Sequence, residues 1–214
     1  MWLFFLSFLF LATPGSCDGA FFGSGSDATA GDDGVRTFYV LDFDVENLGA
    51  SFIAFNGTMV APNVQGAGVY YLWPGLEPPG SQGVYQNVLA GDTTDWTFST
   101  GWCCINPDTE FGDAIKSQNG DPNTFTNIAD GNGNWNSLVV NVPSGQQVPN
   151  SYPLGDKQFT RASLAIELHQ TTWNFGALVW QNLALTATGT TDTSWCDNGP
   201  KNDELFTSFN RKDK

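Results

Sequence analysis

Alternation of apolar and polar residues is the main pattern along this chain. It is clearest over residues 37–46, where every second residue is apolar and the intervening ones include three carboxylates. A period of two residues is typical of a half-buried β-strand. The same pattern predicts further strands near residues 51–60, 68–73, 83–90, 95–102, 123–128, 135–142, 159–169 and 177–187. Gly-, Pro- and Asn-rich runs, among them Asn56-Gly57, predict turns.

Helical spacing is nearly absent. The best candidate is a short helix over residues 107–116, with Asn106 as its cap, Pro107 at its first position and Glu110 in its first turn. About nine strands with so little helix predict an all-β fold, either a sandwich or a barrel. We favour an antiparallel β-sandwich formed as one domain, which suits a chain of 214 residues.

The two ends of the chain differ from this pattern. Residues 2–12 are an apolar run too short to span a bilayer, which takes about 20 residues, and small residues follow it. We therefore interpret residues 1–17 as a signal peptide and expect a secreted, extracellular protein with no membrane contact after cleavage. Residues 18–34, rich in Gly, Ser and Asp, predict a flexible leader before the β-sandwich domain of residues 35–200. Residues 201–214 hold four of the eight basic residues and predict a solvated tail.

Charge and aromatic content exclude two classes of protein. The formal net charge of -14 argues against a nucleic-acid partner, because phosphate recognition needs a basic surface. An aromatic content of 14% is too high for a disordered acidic chain. We expect a soluble monomer whose partner is an extracellular polysaccharide or a protein substrate.

Secretion affects how the cysteines are interpreted. Cys103, Cys104 and Cys196 follow the signal peptide, and in an oxidising compartment at least two of them should pair. A bridge from Cys196 to Cys103 or Cys104 is the favoured prediction, and a vicinal Cys103–Cys104 disulfide is the alternative. The sequon that begins at Asn56 predicts surface N-glycosylation.

Metal-binding patterns are weak. The three cysteines and the single histidine, His169, lack the paired spacing of a zinc site. Residues 130–134 resemble the start of a calcium loop, but Trp135 stands where such a loop needs glycine, and a hairpin turn explains the run equally well. We predict no metal and no cofactor.

Two groups of residues offer acid/base chemistry. Asp42, Asp44 and Glu46 alternate along one strand face at steps of about 6.8 Å. Glycosidases of the laminarinase and lichenase type use such a ladder, although they begin it with Glu, and an acidic outward face is the simpler interpretation. Glu167 and His169 share the polar face of another predicted strand, where they are candidates for an acid/base pair.

Aromatic residues suggest a ligand with flat apolar faces. The string Tyr70-Tyr71-Leu72-Trp73-Pro74 places rings on both faces of a strand, and Trp102 and Trp173 add further rings. Exposed rings stack on sugars, whereas most large aromatic residues of a sandwich fill its core. We predict that Tyr71, Trp73, Trp102 and Trp173 bind substrate.

Three segments between residues 69 and 188 resemble the fungal glutamic peptidases, the eqolisins. A Trp-rich strand is followed by the glutamine-bearing strand Val84-Tyr85-Gln86-Asn87-Val88, and residues 162–167 and 175–182 are similar to the family's last two strands. The resemblance implies a concanavalin A-like jelly roll, with Gln86 as the catalytic glutamine that orients water. The strand that carries the family's catalytic glutamate has Gly101 at that position here.

Three functional hypotheses follow. The first is a secreted protein that binds or processes cell-wall carbohydrate through an aromatic-lined groove, with polar contacts from Gln86, Glu167 and His169. The second is an acid peptidase or related hydrolase that uses Gln86 with a displaced carboxylate, either Glu110 or Glu167. The third is a non-catalytic structural or interaction protein, which burial of Gln86, Glu167 and all the aromatic residues would favour.

Overall fold

The computed structural model describes residues 15–24, 36–64, 68–80, 82–91, 95–104, 107–202 and 208–212. Within these residues the chain forms fifteen β-strands, one 3-10 turn at Glu46–Leu48 and one short α-helix, α1, at Ser194–Asp197. The strands are β1 (Gly15–Ser24), β2 (Arg36–Asp44), β3 (Ser51–Val60), β4 (Val69–Glu77), β5 (Val84–Gly91), β6 (Asp95–Cys103), β7 (Glu110–Phe111), β8 (Ile115–Gln118), β9 (Pro122–Ala129), β10 (Trp135–Asn141), β11 (Gln147–Tyr152), β12 (Arg161–His169), β13 (Leu178–Thr188), β14 (Lys201–Asn202) and β15 (Ser208–Lys212).

Two antiparallel sheets form the sandwich. The first sheet has the strand order β11-β10-β9-β3-β13-β1-β15. The second has the order β14-β2-β12-β4-β5-β6-β7, and β8 pairs with residues 95–98 at the start of β6. The predicted all-β sandwich of jelly-roll type is confirmed, and each strand predicted from alternation is present.

The inner faces of both sheets carry the apolar residues that alternation predicts. On β2, Leu41 is fully buried and Phe43 is 1% exposed, and on β12, Leu164 and Ile166 are fully buried. Burying one such side chain stabilises the fold by about 1.5–3 kcal/mol. A slip of one residue would turn these side chains outward, so burial fixes the register of each strand.

A buried chain of polar side chains crosses this apolar core. Asn127 of β9 donates a hydrogen bond to Asn87 of β5, and Asn87 donates to the Thr100 hydroxyl of β6 at 2.7 Å. All three side chains are fully buried. Because a buried amide left unpaired costs about 1–3 kcal/mol, this chain of bonds favours one alignment of the two sheets.

Two local predictions are wrong. Residues 107–116 contain β7 and the start of β8 instead of a helix, because Phe111 pairs with Gly101 at the edge of the second sheet. The Asn56-Gly57 dipeptide lies inside β3, between β9 and β13, instead of forming a turn. There, a Cβ at position 57 would lie 2.9 Å from the Phe125 ring, so glycine is needed for packing.

The chain ends differ from the sequence-based expectation where the structure describes them. Residues 18–24 of the expected leader belong to β1, whose backbone pairs with β13. The expected solvated tail contributes β14, which pairs with β2, and β15, which pairs with β1. Residues 1–14, 25–35, 203–207 and 213–214 lie outside the described part, so the signal peptide and its cleavage remain predictions.

The disulfide prediction needs correction. Cys103 and Cys104 are bonded to each other at the end of β6, which is the vicinal alternative. Cys196 is disulfide-bonded too, but to neither of them. Its helix α1 contacts β2, four strands away from β6. Four strand spacings amount to about 19 Å, whereas a disulfide joins Cα atoms less than about 7 Å apart.

Membrane-spanning helices are absent from the described residues, since the only α-helix there has four residues.

Candidate functional site

The outer face of the second sheet, which points away from the core, contains a cavity of about 370 Å³. Five predicted site residues line it, together with four that the sequence did not single out. The predicted ones are Tyr71, Trp73, Gln86, Glu167 and His169. The others are Val88, Ala90, Ser99 and Phe111.

Strand register explains this grouping. Glu167 of β12 pairs with Tyr71 of β4, and Tyr71 pairs with Ala90 of β5, so the three form one row across the sheet. Gln86 lies on the same face of β5 as Ala90, four residues earlier in the chain. Because side chains alternate along a strand, residues at even spacing share this face. The outer face therefore collects side chains that are up to 100 residues apart in sequence.

Glu167 and His169 form the polar end of the cavity. His169 Nε2 lies 2.6 Å from Glu167 Oε1, and the imidazole meets the Tyr71 ring edge-on, with centroids 5.1 Å apart. Both side chains keep some exposure, 16% for Glu167 and 23% for His169. The pair therefore places a carboxylate and an imidazole, two groups common in acid/base chemistry, side by side in the cavity lining.

A buried hydrogen-bonding group in the cavity wall has no partner. The Trp73 indole N–H is buried without an acceptor, in a residue that is 7% exposed. Buried polar groups in folded proteins nearly always have partners. Gln86, also 7% exposed, lines the same cavity, where its amide is a group that a ligand can bind.

Aromatic and apolar side chains surround these groups. Phe111 is 42% exposed, and its ring covers Gly101, the neighbour of Gln86 on β6. A Cβ at position 101 would overlap that ring, so glycine is required there. Phe38 and Val69, which are 38% and 39% exposed, pair with Glu167 and His169 in the sheet.

Two of the predicted stacking residues lie elsewhere. Trp102 is fully buried between the sheets, where its indole donates to the Pro107 carbonyl at 3.0 Å. Trp173 is 4% exposed, donates to the Gly176 carbonyl and stacks on Phe175. Neither can stack on a ligand, so both predictions are wrong. The tryptophans of the described residues are all at most 7% exposed. The most exposed aromatic rings of the described residues are those of Phe38 and Phe111.

A second group of polar residues lies on the same outer face, which we call the acid cluster: Asp42, Glu77, Arg161 and Ser163. Ser163 Oγ contacts Asp42 Oδ1 at 2.6 Å and Glu77 Oε1 at 2.8 Å. Arg161 Nη1 lies 3.6 Å from Glu77 Oε2 and 3.9 Å from Asp42 Oδ2. Burial raises the pKa of Glu77, and the Ser163 hydrogen bond and the Arg161 charge oppose this effect only in part.

The remaining sequence candidates have structural roles. Asp44 Oδ1 accepts a hydrogen bond from the backbone N–H of Glu46. The predicted row of carboxylates therefore ends in a turn at these two residues. Asp130 accepts hydrogen bonds from Asn134 and from the backbone of Asn132, and these donors hold the pKa of Asp130 below its ordinary value. No group of three metal-ligating side chains occurs in the part of the chain with described side chains.

Comparison with solved structures confirms the type of fold. Scytalido-glutamic peptidase with a transition state analog inhibitor aligns with a TM-score of 0.59 and 14% identity, over 90% of this chain and 89% of that chain. SCP-B, a member of the eqolisin family, aligns with a TM-score of 0.42 and 17% identity, over 72% of this chain and 65% of that one. Peanut lectin aligns with a TM-score of 0.46 and 11% identity, over 82% and 97%.

These alignments establish architecture only. Those to the peptidases span between 65% and 89% of the peptidase chains. No protein-family model and no curated protein matches the sequence. The chain is thus a jelly-roll β-sandwich that resembles Scytalido-glutamic peptidase in fold.

Proposed function

We propose that the protein is secreted and binds extracellular carbohydrate in the cavity on its outer face. The observation that carries this proposal is a cavity of about 370 Å³ that is lined both by aromatic rings and by the polar side chains of Gln86, Glu167 and His169. That volume is within the range of small-molecule sites, about 300–1,000 Å³.

Sugar rings have the two properties that this cavity matches. Their faces are apolar, which suits Tyr71 and the exposed Phe111 ring. Their rims carry hydroxyl groups, each of which donates and accepts. A hydroxyl can accept from Trp73 and exchange hydrogen bonds with Gln86 and Glu167.

Binding to labelled oligosaccharides of glucan, chitin, pectin and alginate tests the proposal. We expect one class to bind, and Trp73→Phe and Gln86→Ala each to weaken that binding about tenfold, the effect of about 1.4 kcal/mol. Trp96→Phe is the matched control, since the Trp96 indole donates to Asn119 inside the fold. Absence of binding to every class, or equal weakening by the control, would contradict the proposal.

An acid peptidase is the second candidate. The cavity brings Gln86 together with Glu167, as a displaced-carboxylate mechanism would need, and Scytalido-glutamic peptidase has a similar fold. Glu110, the other carboxylate considered, is in β7, exposed and not part of the cavity lining. Digestion of denatured protein at acidic pH, abolished by Gln86→Ala, would favour this candidate over carbohydrate binding.

A further inference from the structure

The outer face of the first sheet carries no charged side chain on four neighbouring strands that the structure describes in full. β10, β9, β3 and β13 pair in three rows across this face. We define the uncharged face by the outward residues of these rows, which are positions 136, 138 and 140, 124, 126 and 128, 54, 56 and 58, and 181, 184 and 186. All of them are Thr, Asn, Gln, Ala, Val, Ile or Leu. Because the net charge of the protein is -14, so broad an uncharged surface favours an uncharged partner.

Two aliphatic side chains of the uncharged face are open to solvent. Ile128 is 47% exposed and Leu138 is 36% exposed. They are diagonal neighbours on β9 and β10, about 7–8 Å apart, so they form one apolar patch. The outer face of the second sheet, by contrast, presents the acid cluster, Glu167 and His169. An exposed apolar patch with polar residues around it is typical of a surface that another group covers.

Asn56 lies in the middle row of the uncharged face and begins the sequon Asn56-Gly57-Thr58. It pairs with Thr126 of β9 and with Ala184 of β13, so its side chain leaves the sheet on the outer side. Its Oδ1 accepts a hydrogen bond from the backbone N–H of Asn127 at 3.2 Å. An N-linked glycan attaches to the other polar atom of the amide, Nδ2. The sequon therefore presents its acceptor residue on the outer surface, beside the apolar patch.

We propose that Asn56 carries an N-linked glycan and that its first sugars cover Ile128 and Leu138. Asn56 is a diagonal neighbour of Ile128, about 7–8 Å away, and Leu138 lies two strands away at about 10 Å. The core of such a glycan is uncharged and its ring faces are apolar, while its hydroxyl groups exchange hydrogen bonds with the Thr and Asn side chains around the patch. A glycan is also bulky and solubilising, which suits an apolar patch in water. This inference rests on secretion, which the proposed function includes.

Attachment of the glycan is a group transfer during secretion. Asn56 Nδ2 forms a bond to the anomeric carbon of a lipid-diphosphate-linked oligosaccharide. The anomeric C–O bond breaks, the lipid diphosphate leaves with its electron pair, and the proton lost from Nδ2 passes to a base of the transferase. Because β3 is held between β9 and β13 in the folded sheet, the transfer takes place before folding is complete.

The glycan leaves the proposed carbohydrate-binding cavity open. The uncharged face is the outer face of the first sheet, whereas every residue that lines the cavity belongs to the second sheet. Stacked sheets lie about 10 Å apart, and the outer faces of a sandwich point in opposite directions. Loss of the glycan should therefore leave oligosaccharide binding unchanged, so this inference and the proposed function can fail separately.

Secretion of the full chain from a eukaryotic host, followed by intact-mass spectrometry of the medium, tests the attachment. We expect the added mass of one glycan, its loss on treatment with an N-glycosidase, and no added mass in Asn56→Gln. Thr58→Ser keeps the sequon and is the matched control. Unmodified Asn56 in the secreted protein overturns this inference and leaves carbohydrate binding intact. Retention of the chain inside the cell overturns the secretion that both proposals include.

Thermal melts of paired variants test what the glycan covers. The loss of Tm caused by Asn56→Gln should be about 2–4 °C smaller in an Ile128→Thr/Leu138→Thr background, because no aliphatic patch is left there to cover. The lost hydrogen bond to Asn127 is the same in both backgrounds and cancels. Val142→Thr, at a residue that is 51% exposed beyond the end of β10, is the control background and should keep the full loss.

Two results would overturn the covering role. One is an equal loss of Tm in the Ile128→Thr/Leu138→Thr background and in the unmodified one. The other is dimerisation of the glycosylated protein, measured by sedimentation, that Ile128→Thr/Leu138→Thr abolishes, because a second copy of the chain would then cover the patch.

Discussion

From the unpartnered Trp73 indole N–H we derive a prediction about stability that needs no knowledge of the ligand. Trp73 and Trp96 are both buried, at 7% and 1% exposure, and replacement by Phe removes the same atoms from each. Their hydrogen bonds differ: the Trp96 indole donates to Asn119 at 2.9 Å, and the Trp73 indole has no acceptor. Trp96 packs in the main core and Trp73 in a smaller cluster on the outer face, and both lose the same atoms. The difference between the two variants therefore reports chiefly on the hydrogen-bonding state of Trp73.

The magnitude follows from this difference. Trp96→Phe loses a hydrogen bond with a net contribution of about 1 kcal/mol, in addition to the lost packing. Trp73→Phe loses similar packing but removes a desolvated N–H whose presence costs about 1–3 kcal/mol. We expect Trp73→Phe to reduce the free energy of unfolding by about 2–4 kcal/mol less than Trp96→Phe does.

Urea unfolding of the two variants, followed by far-UV circular dichroism, measures both free energies. The reasoning is refuted if the variants are destabilised equally, within about 0.5 kcal/mol. Equal values would mean that Trp73 N–H already has a partner, such as an enclosed water, and gains little from a ligand. Added oligosaccharide should stabilise the unmodified protein more than it stabilises the Trp73→Phe variant, because only the unmodified protein has the indole N–H.

Three further predictions concern the same sheet. Burial raises the pKa of Glu77 in the folded protein above its ordinary value of 4.5, so the stability that Glu77 contributes is complete below that pH and is lost as the pH rises through the folded-state pKa. In urea titrations, Glu77→Gln should therefore gain stability relative to the unmodified protein as the pH is raised above about 4.5. Tyr152→Phe removes the hydroxyl that accepts from the Gly112 N–H at 2.8 Å and donates to the Thr100 carbonyl, so it should lower the free energy of unfolding by about 1–3 kcal/mol through the loss of two hydrogen bonds. Gly101→Ala should lower the free energy of unfolding by a similar amount, because the added Cβ overlaps the Phe111 ring. In a thermal melt, the double variant Gly101→Ala/Phe111→Ala should not show this loss, because the overlapping ring is absent.

The sequence predicted the fold well where alternation and burial agree. On β12, the period of two residues placed Leu164 and Ile166 inside and Glu167 and His169 outside, as the structure has them. It failed where tertiary packing overrides local preference. Asn56-Gly57 is a common turn dipeptide, yet β9 and β13 hold it within a sheet.

The candidate site was only partly predictable. Glu167 and His169 followed from alternation and Gln86 from family resemblance, but neither showed that the three share a cavity. Phe111 was missed because its segment has helical capping signals, and its partner Gly101 is known only from the register. Glu77 had a usable signal, since it continues the alternation of Tyr71, Trp73 and Gly75, but a strand predicted to end at residue 73 excluded it.

The buried bond between Asn127 and Asn87 has a consequence for the opposite face of the second sheet. Neighbouring residues of a strand point in opposite directions, so the segment of β5 that is anchored inside by Asn87 presents Gln86 outside. The face on which the Gln86 side chain lies is thereby fixed by contacts with the first sheet, none of whose residues line the cavity. Residues that line the cavity can be exchanged without releasing this anchor, so the fold can alter what it recognises while the placement of its central amide stays constant.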